Sequence, residues 1–382
     1  MDFLMSISLS RPDGFWAGII FAMENVVGNY ALALILITVA IRLVLMPFDF
    51  INKHSTKKMT RKQNEMKPEM EKINKAYGHD KNLLNQKTME LYKKHNFNVT
   101  GTCGIMLVYM IVTMFVFFSL FGTLNDVSAY KIAEQYSKVS DTYYATYADE
   151  YASTSGAVST EDESYDDSLR AWVNSYLLKT EEEVAGLSSE DSAIYTSLVA
   201  LKDTAEANAN KTYDSTQTSF LWIKSIWRSD AMWTSPTLPY DNFITDSKTN
   251  KDDLTKAEYN LVMDAVIEEN SGMNGFFVLA ILSMATQFVS IKFNAYLSRK
   301  KAIKQGIPVA EDPNSNKSMS IIMPVIMGIF AIFYNAAFGI YLVASGLVSF
   351  ITGTISTLIV DNIDVTTFKK NKEKKKASYS RK

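Results

Sequence analysis

The chain has 382 residues, of which 47% are hydrophobic, and its formal net charge at pH 7 is only −2. That near-neutral total is the sum of blocks of opposite sign: residues 125–272 carry 27 acidic and 11 basic side chains, whereas residues 49–98 carry 6 acidic and 12 basic ones. Residues 361–382 are again basic, with 8 basic and 3 acidic side chains. Because long apolar runs separate these blocks, the composition excludes a single soluble domain and favours a protein that crosses a membrane.

The residues that build most metal and redox sites are scarce. The one cysteine, Cys103, excludes an intramolecular disulfide and a cysteine-built zinc site. His54, His79 and His95 lie in the basic block without the spacing of metal ligands. The sequence contains no paired catalytic acids, nucleophile elbow, phosphate-binding glycine loop or HExxH motif. We therefore predict no catalytic residue, no metal and no cofactor, and we do not expect an enzyme.

The N-terminal segment 1–27 ends in an apolar stretch, "GFWAGIIFAMENVV" (14–27), that is interrupted by Glu24. This stretch is too short to cross a bilayer, which takes about 20 apolar residues. Phe15 and Trp16 at its start are aromatic residues of the kind that lie at the membrane–water interface. The pattern predicts an amphipathic helix that lies in the interface.

Further apolar runs have the length and composition of membrane spans. The first three are residues 28–48, 103–124 and 275–297. Residues 319–360 form a run of 42 residues without a charge, and a single helix of that length would measure about 63 Å against a hydrocarbon core of about 30 Å. We therefore divide this run into two spans, 319–335 and 337–360, with a hairpin at "YNAAFG" (334–339).

The basic connections between the spans predict the orientation, because Lys and Arg are enriched in cytoplasmic loops. With five spans, the basic segments 49–102, 298–318 and 361–382 all fall on one side of the membrane, which we take to be the cytoplasm. The N-terminus and the acidic segment 125–274 then lie outside. The sequence thus predicts an all-α, multi-pass integral membrane protein with a five-helix core and its C-terminus in the cytoplasm.

Two segments outside the spans show helical periodicity. In 49–102, apolar residues recur three and four positions apart on either side of "YGHDKN" (77–82), which predicts a basic cytoplasmic helical hairpin. The hairpin is either a solvated spacer or a docking arm. The outer segment 125–274 is predicted to be a mainly helical extracellular domain. Its residues Trp222, Trp227 and Trp233 suit an aromatic belt at the membrane interface.

Arg42 is the only charged residue inside the first span. Its guanidinium stays charged at any physiological pH. Arg42 lies six residues before Phe48, about 9 Å along a helix, and a long side chain can reach the headgroups from there. The position alone leaves two interpretations open: an anchor that snorkels to the interface, or a cation that faces other spans.

Several phrases in chain order resemble the YidC/Oxa/Alb family of membrane protein insertases. The first span carries Arg42-x-x-x-x-Pro47 at the spacing of that family. The other matching phrases are "STKKM" (55–59), "KPEMEKINKAYG" (67–78), "NQKTMELYKKHNFN" (85–98), "SFLWI" (219–223), "TQF" (286–288), "IMPVIMGIF" (322–330) and "FGIYLVASGLVSF" (338–350). The sequence departs from the family in the second span, which lacks prolines and has Tyr109 in place of a glutamine, and at Tyr341-Leu342, where a tryptophan is missing.

The resemblance implies an insertase and membrane-protein chaperone that acts in the bacterial cell membrane without nucleotide hydrolysis. In such a protein, five helices enclose a hydrophilic groove open to the cytoplasm and to lipid, and Arg42 makes that groove electropositive for the hydrophilic tail of a substrate. Comparison with the family spans adds four candidates for the groove wall: Tyr109, Gln287, Ser290 and Tyr341. The candidates in the hairpin are Lys57, Lys58, Lys67, Glu69, Tyr77 and Tyr92.

The expected partners are nascent integral membrane proteins, with or without the Sec translocon and the signal recognition pathway, and no DNA. The basic tail has a composition typical of disorder. Its candidates for contact with a ribosome or with anionic lipid are Lys369, Lys370, Lys374, Lys375 and Lys376. Two other functions stay open: an anion channel or transporter that uses Arg42, and a receptor-like protein whose acidic outer domain binds an external ligand.

Overall fold

The computed structural model describes residues 10–95, 97, 99–156, 163–304 and 317–379. Residues 1–9 of the predicted N-terminal segment and 305–316 of the predicted cytoplasmic loop lie outside the described residues. The side chains of Cys103 and of the tail lysines also lie outside the description.

Helices form every named secondary-structure element of the described residues, so the predicted all-α class is confirmed. In chain order they are α1 (Phe15–Val27), α2 (Tyr30–Tyr77), α3 (Lys81–Lys94), α4 (Val99–Ala145), α5 (Ala148–Ser155), α6 (Glu163–Leu177), α7 (Glu181–Ala185), α8 (Ser189–Thr216), α9 (Tyr240–Ser247), α10 (Lys256–Glu269), α11 (Val278–Lys304), α12 (Lys317–Phe333) and α13 (Ala336–Tyr379). α13 includes most of the basic tail, contrary to the disorder that its composition suggested, because Lys, Glu and Ala are strong helix formers.

Four helices within the described ranges are long and apolar enough to cross a membrane. Their apolar parts are Tyr30–Thr60 in α2, Leu107–Ala145 in α4, Val278–Lys301 in α11 and Ala336–Ile363 in α13. The remaining candidate, α12, contributes a shorter apolar stretch, Ile321–Phe333. The chain is therefore a multi-pass membrane protein, while the count of five spans and their orientation stay predictions.

The chain divides into two compact units. The first, which we call the aromatic unit, contains Met1–Ala31, Phe121–Val278 and Ala331–Gly339. The second, which we call the span unit, contains Leu32–Leu120, Leu279–Phe330 and Ile340–Lys382.

Buried tyrosines hold the aromatic unit together. Tyr136 of α4 stacks on Tyr259 of α10 with ring centroids 5.2 Å apart, and Tyr259 donates its hydroxyl to the carbonyl of Leu238 at 2.6 Å. Tyr213 of α8 donates to the carbonyl of Pro236 at 3.2 Å. Because a buried phenol needs a partner for its hydroxyl, these bonds fix the irregular segment between α8 and α9 against the helices.

The break between α12 and α13 lies at Tyr334 and Asn335, in the segment where the sequence suggested a hairpin. The side-chain oxygen of Asn335 accepts a hydrogen bond from the N–H of Phe338 at 3.0 Å, which is the usual role of an N-cap asparagine. Its amide donates to the hydroxyl of Ser128 at 2.8 Å. Asn335 therefore both starts α13 and fixes that start within the aromatic unit.

In the span unit, α12 and α13 each approach α11 at a glycine. A Cβ atom at Gly346 of α13 would lie 2.5 Å from Oγ1 of Thr286 on α11. A Cβ atom at Gly328 of α12 would collide with the side chain of Met284 on α11. Small residues at such contacts are typical of membrane proteins, where close backbone approach replaces the hydrophobic effect between helices.

The hairpin predicted at 49–102 is formed by the second half of α2 and by α3. α2 continues without a break through Pro47 and Pro68, so the first apolar span and the first hairpin helix are one helix. Asp80 caps α3 with its side chain, which accepts hydrogen bonds from two N–H groups of the first turn. The buried centre of the hairpin is formed by Met66, Leu91 and Phe97.

Candidate functional site: a polar cluster in the span unit

Arg42 of α2 contacts another helix of the span unit. Its Nε donates a hydrogen bond to Oγ of Ser345 on α13 at 2.9 Å, and a terminal guanidinium nitrogen donates to the same oxygen. Ser345 is buried, with 3% of its surface exposed, and Arg42 is half-buried. The guanidinium is therefore held between two helices that are some 300 residues apart in sequence.

Two of the predicted tyrosines lie beside this contact. The hydroxyl of Tyr341, one turn before Ser345 on α13, is hydrogen-bonded to Ser345. Tyr109 of α4 donates its hydroxyl to a carboxylate oxygen of Asp49 on α2, and both tyrosines lie within the electrostatic reach of Arg42. We call these five residues, Arg42, Asp49, Tyr109, Tyr341 and Ser345, the Arg42 cluster.

The other two predicted wall residues take no part in these hydrogen bonds. Gln287 and Ser290 of α11 are half-buried. The contact recorded for Ser290 is through its carbonyl, which accepts a hydrogen bond from the amide of Asn294 at 2.8 Å. Of the candidates carried over from the family spans, the structure thus joins Tyr109 and Tyr341 to Arg42 and leaves Gln287 and Ser290 on a separate stretch of α11.

A second set of polar contacts continues along α2 and α13. Lys53 donates to the carbonyl of Gly353 at 2.6 Å and to the hydroxyl of Thr357 at 3.2 Å. One helical turn further, Lys57 forms an ion pair with Asp361. Asp361 is 2% exposed and also accepts hydrogen bonds from Ser298 of α11 at 3.4 Å. We call the contacts of Lys53 and Lys57 with α13 the lysine ladder.

The Arg42 cluster can bind an anion by charge and by hydrogen bonding. A guanidinium carries five N–H donors in a planar fork that matches a carboxylate. The hydrogen-bond partner of Arg42, Ser345, is neutral, whereas the carboxylate of the cluster, Asp49, accepts a hydrogen bond from Tyr109. Among the described residues, no group of three or more His, Cys, Asp or Glu side chains could hold a metal ion.

Sequence reasoning missed Asp49, Ser345 and the partners of the lysine ladder, although periodicity contains a signal for them. Asp49, Lys53 and Lys57 follow one another at intervals of four residues, which places them on one face of α2. Gly353, Thr357 and Asp361 have the same spacing on α13. Periodicity shows which residues share a face, but it does not show which helix that face meets.

The hairpin candidates lie in different surroundings. Glu69 accepts a hydrogen bond from Lys94 at 2.8 Å and contacts His95 at 3.2 Å, and the hydrogen bond from Lys94 lowers the pKa of the Glu69 carboxyl. The ring of Tyr92 packs against Phe97 at 5.1 Å. The exposures of the remaining candidates differ: Lys58 and Lys67 are exposed, whereas Tyr77 is half-buried.

Comparison with known proteins identifies relatives of one part of the chain. Residues 22–154 match the family described as "60Kd inner membrane protein". The "Membrane protein insertase YidC" of Fusobacterium nucleatum is 36% identical over 112 residues, which cover 29% of this chain and 51% of the relative. The protein of the same name from Caldanaerobacter subterraneus is 35% identical over 127 residues, covering 32% of this chain and 57% of the relative.

The chain thus aligns with about half the length of these two relatives. No solved structure matches it. The matched segment 22–154 contains Arg42, Asp49 and Tyr109, whereas Tyr341 and Ser345 lie beyond it. The chain is a multi-pass membrane protein, and part of it is similar to the YidC membrane protein insertases, in agreement with the resemblance stated from its sequence.

Proposed function

We propose that this chain inserts integral membrane proteins into the bilayer and that the Arg42 cluster receives the hydrophilic tail of the substrate. The observation that carries the proposal is the contact of Arg42 with Ser345, which holds a permanent cation against another helix of the span unit. Arg42 also lies within residues 22–154, which match the 60Kd inner membrane protein family, and part of the chain is 36% identical to a relative named as an insertase. An arginine that served only as an anchor would extend toward the headgroups, so the Ser345 contact favours the inward interpretation.

The physical difficulty of insertion is the passage of polar groups through hydrocarbon. A charge at the bilayer centre costs about 2.5–3.5 kcal/mol on insertion scales. A polar cluster part-way across shortens the apolar path, and Arg42 offers an acidic tail charge-assisted hydrogen bonds in exchange for water. Burial of the substrate's apolar helix, at about 25 cal/mol per Å², then supplies free energy without nucleotide hydrolysis.

The order of the contacts between α2 and α13 supports the five-span topology on which this proposal rests. Along α2, Arg42, Lys53 and Lys57 contact positions 345, 353 and 361 of α13 in ascending order. The two helices therefore run in the same direction. Three spans between them produce that arrangement, whereas two would make the first and last spans antiparallel, so α12 is proposed to cross the membrane.

Arg42→Ala is expected to reduce insertion about tenfold. A hydrogen bond to a charged group is worth about 1.5–3 kcal/mol, and each 1.4 kcal/mol corresponds to a factor of ten. The measurement is protease protection of a single-span substrate with a short acidic tail, added to proteoliposomes that contain only the purified chain. Arg42→Lys should retain more insertion than Arg42→Ala because it keeps the charge.

Lys292→Ala is the matched control for this experiment. Lys292 is an exposed cation of α11 that lies over the ring of Phe288 at 5.5 Å, and it has no recorded contact with the Arg42 cluster. Insertion should be unchanged in this variant. Equal insertion by Arg42→Ala and the unsubstituted chain would refute the proposed role of Arg42, and anion flux in proportion to protein content would support the channel alternative.

The finer expectations about partners stay predictions. They concern the ribosome or anionic lipid at the tail lysines 369–376, the Sec translocon, and the hairpin as a docking arm. The hairpin offers exposed basic side chains such as Lys67 next to a packed centre, which suits a docking arm as well as a spacer.

A further inference from the structure

A set of exposed apolar side chains lies in the aromatic unit, on the segment between α8 and α9 and on the segment that leads from α10 into α11. They are Leu221 (76% exposed), Met232 (49%), Trp233 (70%), Met273 (49%) and Phe276 (46%). We call these five residues the apolar rim. Isolated exposed apolar residues are ordinary on protein surfaces. The residues of the apolar rim, in contrast, belong to two segments that are joined by hydrogen bonds.

Two buried polar residues join the segments that carry the apolar rim. Asp230, 1% exposed, accepts hydrogen bonds from the indole of Trp222 at 3.2 Å and from the N–H of Phe276 at 2.8 Å. Asn274 accepts from the N–H of Ser225 at 2.7 Å and donates to the carbonyl of the same residue at 2.8 Å. The apolar rim is therefore presented on a hydrogen-bonded framework.

The backbone at the apolar rim includes conformations that bulky side chains rarely adopt. Leu221 has φ 54° and Phe277 has φ 61°, in the left-handed region that favours glycine. Leu221 lies in a tight turn closed by two hydrogen bonds of 3.0 Å between Phe220 and Ile223. An exposed leucine in a strained turn contributes little to the fold, so its side chain is a candidate for a role outside it.

The apolar rim also lacks the acidic charge of the surrounding sequence. Residues 125–272 carry 27 acidic side chains, yet the stretch 217–240 contains a single one, Asp230, which is buried. Residues 271–291 carry no charge. The exposed cation of the first stretch is Lys224, whose charge suits lipid phosphates.

We propose that the apolar rim inserts into the lipid interface at the membrane surface where α11 begins. Phe276 lies two residues before Val278, the first residue of that candidate span, so this part of the rim directly precedes in the chain a helix that is long and apolar enough to cross the membrane. Aromatic residues at such positions lie at headgroup level. Of the three tryptophans assigned to an interfacial belt from the sequence, Trp233 alone belongs to the rim, since Trp227 is buried and Trp222 bonds to Asp230. The inference does not depend on the proposed function.

The test places a fluorophore on the apolar rim of the full chain. In a Cys103→Ala background, Leu221→Cys and Met232→Cys are labelled separately and reconstituted into phosphatidylcholine–phosphatidylglycerol vesicles. Brominated lipid is expected to quench both labels about threefold more than it quenches a label at Val199→Cys, and aqueous iodide is expected to quench them less. Val199 is the matched control because it is an apolar residue of α8 that is 43% exposed.

Each contrary result overturns the inference. Labels that iodide quenches as strongly as it quenches the Val199→Cys label would place the apolar rim in water. Labels shielded from both quenchers would show that protein, such as a second copy of the chain, covers the rim. Since two separate positions are labelled, a variant that fails to fold leaves the other to decide.

Discussion

Lys57→Ala is expected to destabilise the span unit by about 3–5 kcal/mol, because it leaves a buried carboxylate without its cation. Asp361 is 2% exposed, and its other recorded partner is the neutral hydroxyl of Ser298 at 3.4 Å. Asp361→Asn removes the charge itself and should cost less. The double variant should therefore be more stable than Lys57→Ala alone, which is the coupling that a double-mutant cycle detects.

The measurement for this pair is unfolding in mixed micelles with increasing SDS, followed by circular dichroism. Lys87→Ala is the matched control, because Lys87 pairs with Glu90 on the same hairpin at 2.9 Å and both side chains are exposed. The loss of stability there should be small, because an exposed ion pair contributes little to stability. A loss for Lys57→Ala no larger than for Lys87→Ala would show that Asp361 does not need its partner.

Gly275→Ala is expected to destabilise the aromatic unit by about 3 kcal/mol, at the upper end of the cost of overpacking. A Cβ atom at this position would lie 2.8 Å from Cα of Asp230 and would collide with its carboxylate. Asp230 accepts hydrogen bonds from Trp222 and Phe276. The clash should therefore shift the backbone of Asp230 and weaken both hydrogen bonds.

Gly18→Ala provides the contrast in the same unit. Gly18 lies inside α1, and a Cβ atom there would meet nothing within 4 Å. That substitution should stabilise the chain by about 0.5–1 kcal/mol, because alanine loses less backbone entropy in a helix. Both variants are compared in the same SDS titration. The close approach of Gly275 to Asp230 would be contradicted if Gly275→Ala and Gly18→Ala unfolded at the same SDS concentration.

Helical class and the long apolar helices could be predicted from the sequence, because periodicity and span length are local properties. The same holds for the turn within residues 77–82 and for the break near Asn335. The lysine ladder could not be predicted, because Lys53 and Thr357 are about 300 residues apart in the chain. A single sequence identifies the faces of α2 and α13 without pairing them.

Part of the candidate site was predicted, and the predicted residues came from two different kinds of sequence information. Arg42 could be found from the residues, because a permanent charge inside an apolar run needs an explanation. Tyr109 and Tyr341 came from family resemblance, and the structure brings them beside Arg42. Ser345, which holds the guanidinium, was missed because a lone serine in an apolar helix often bonds within its own helix.

The central claim is that the charge at position 42 selects the tail that enters the membrane. Its most direct test is the ratio of insertion of two substrates that differ only in a short tail, acidic in one and basic in the other. With Arg42, we predict that the acidic tail is inserted about tenfold better, equivalent to 1.4 kcal/mol, and that Arg42→Glu reverses the preference. An identical ratio for the two proteins would contradict the claim.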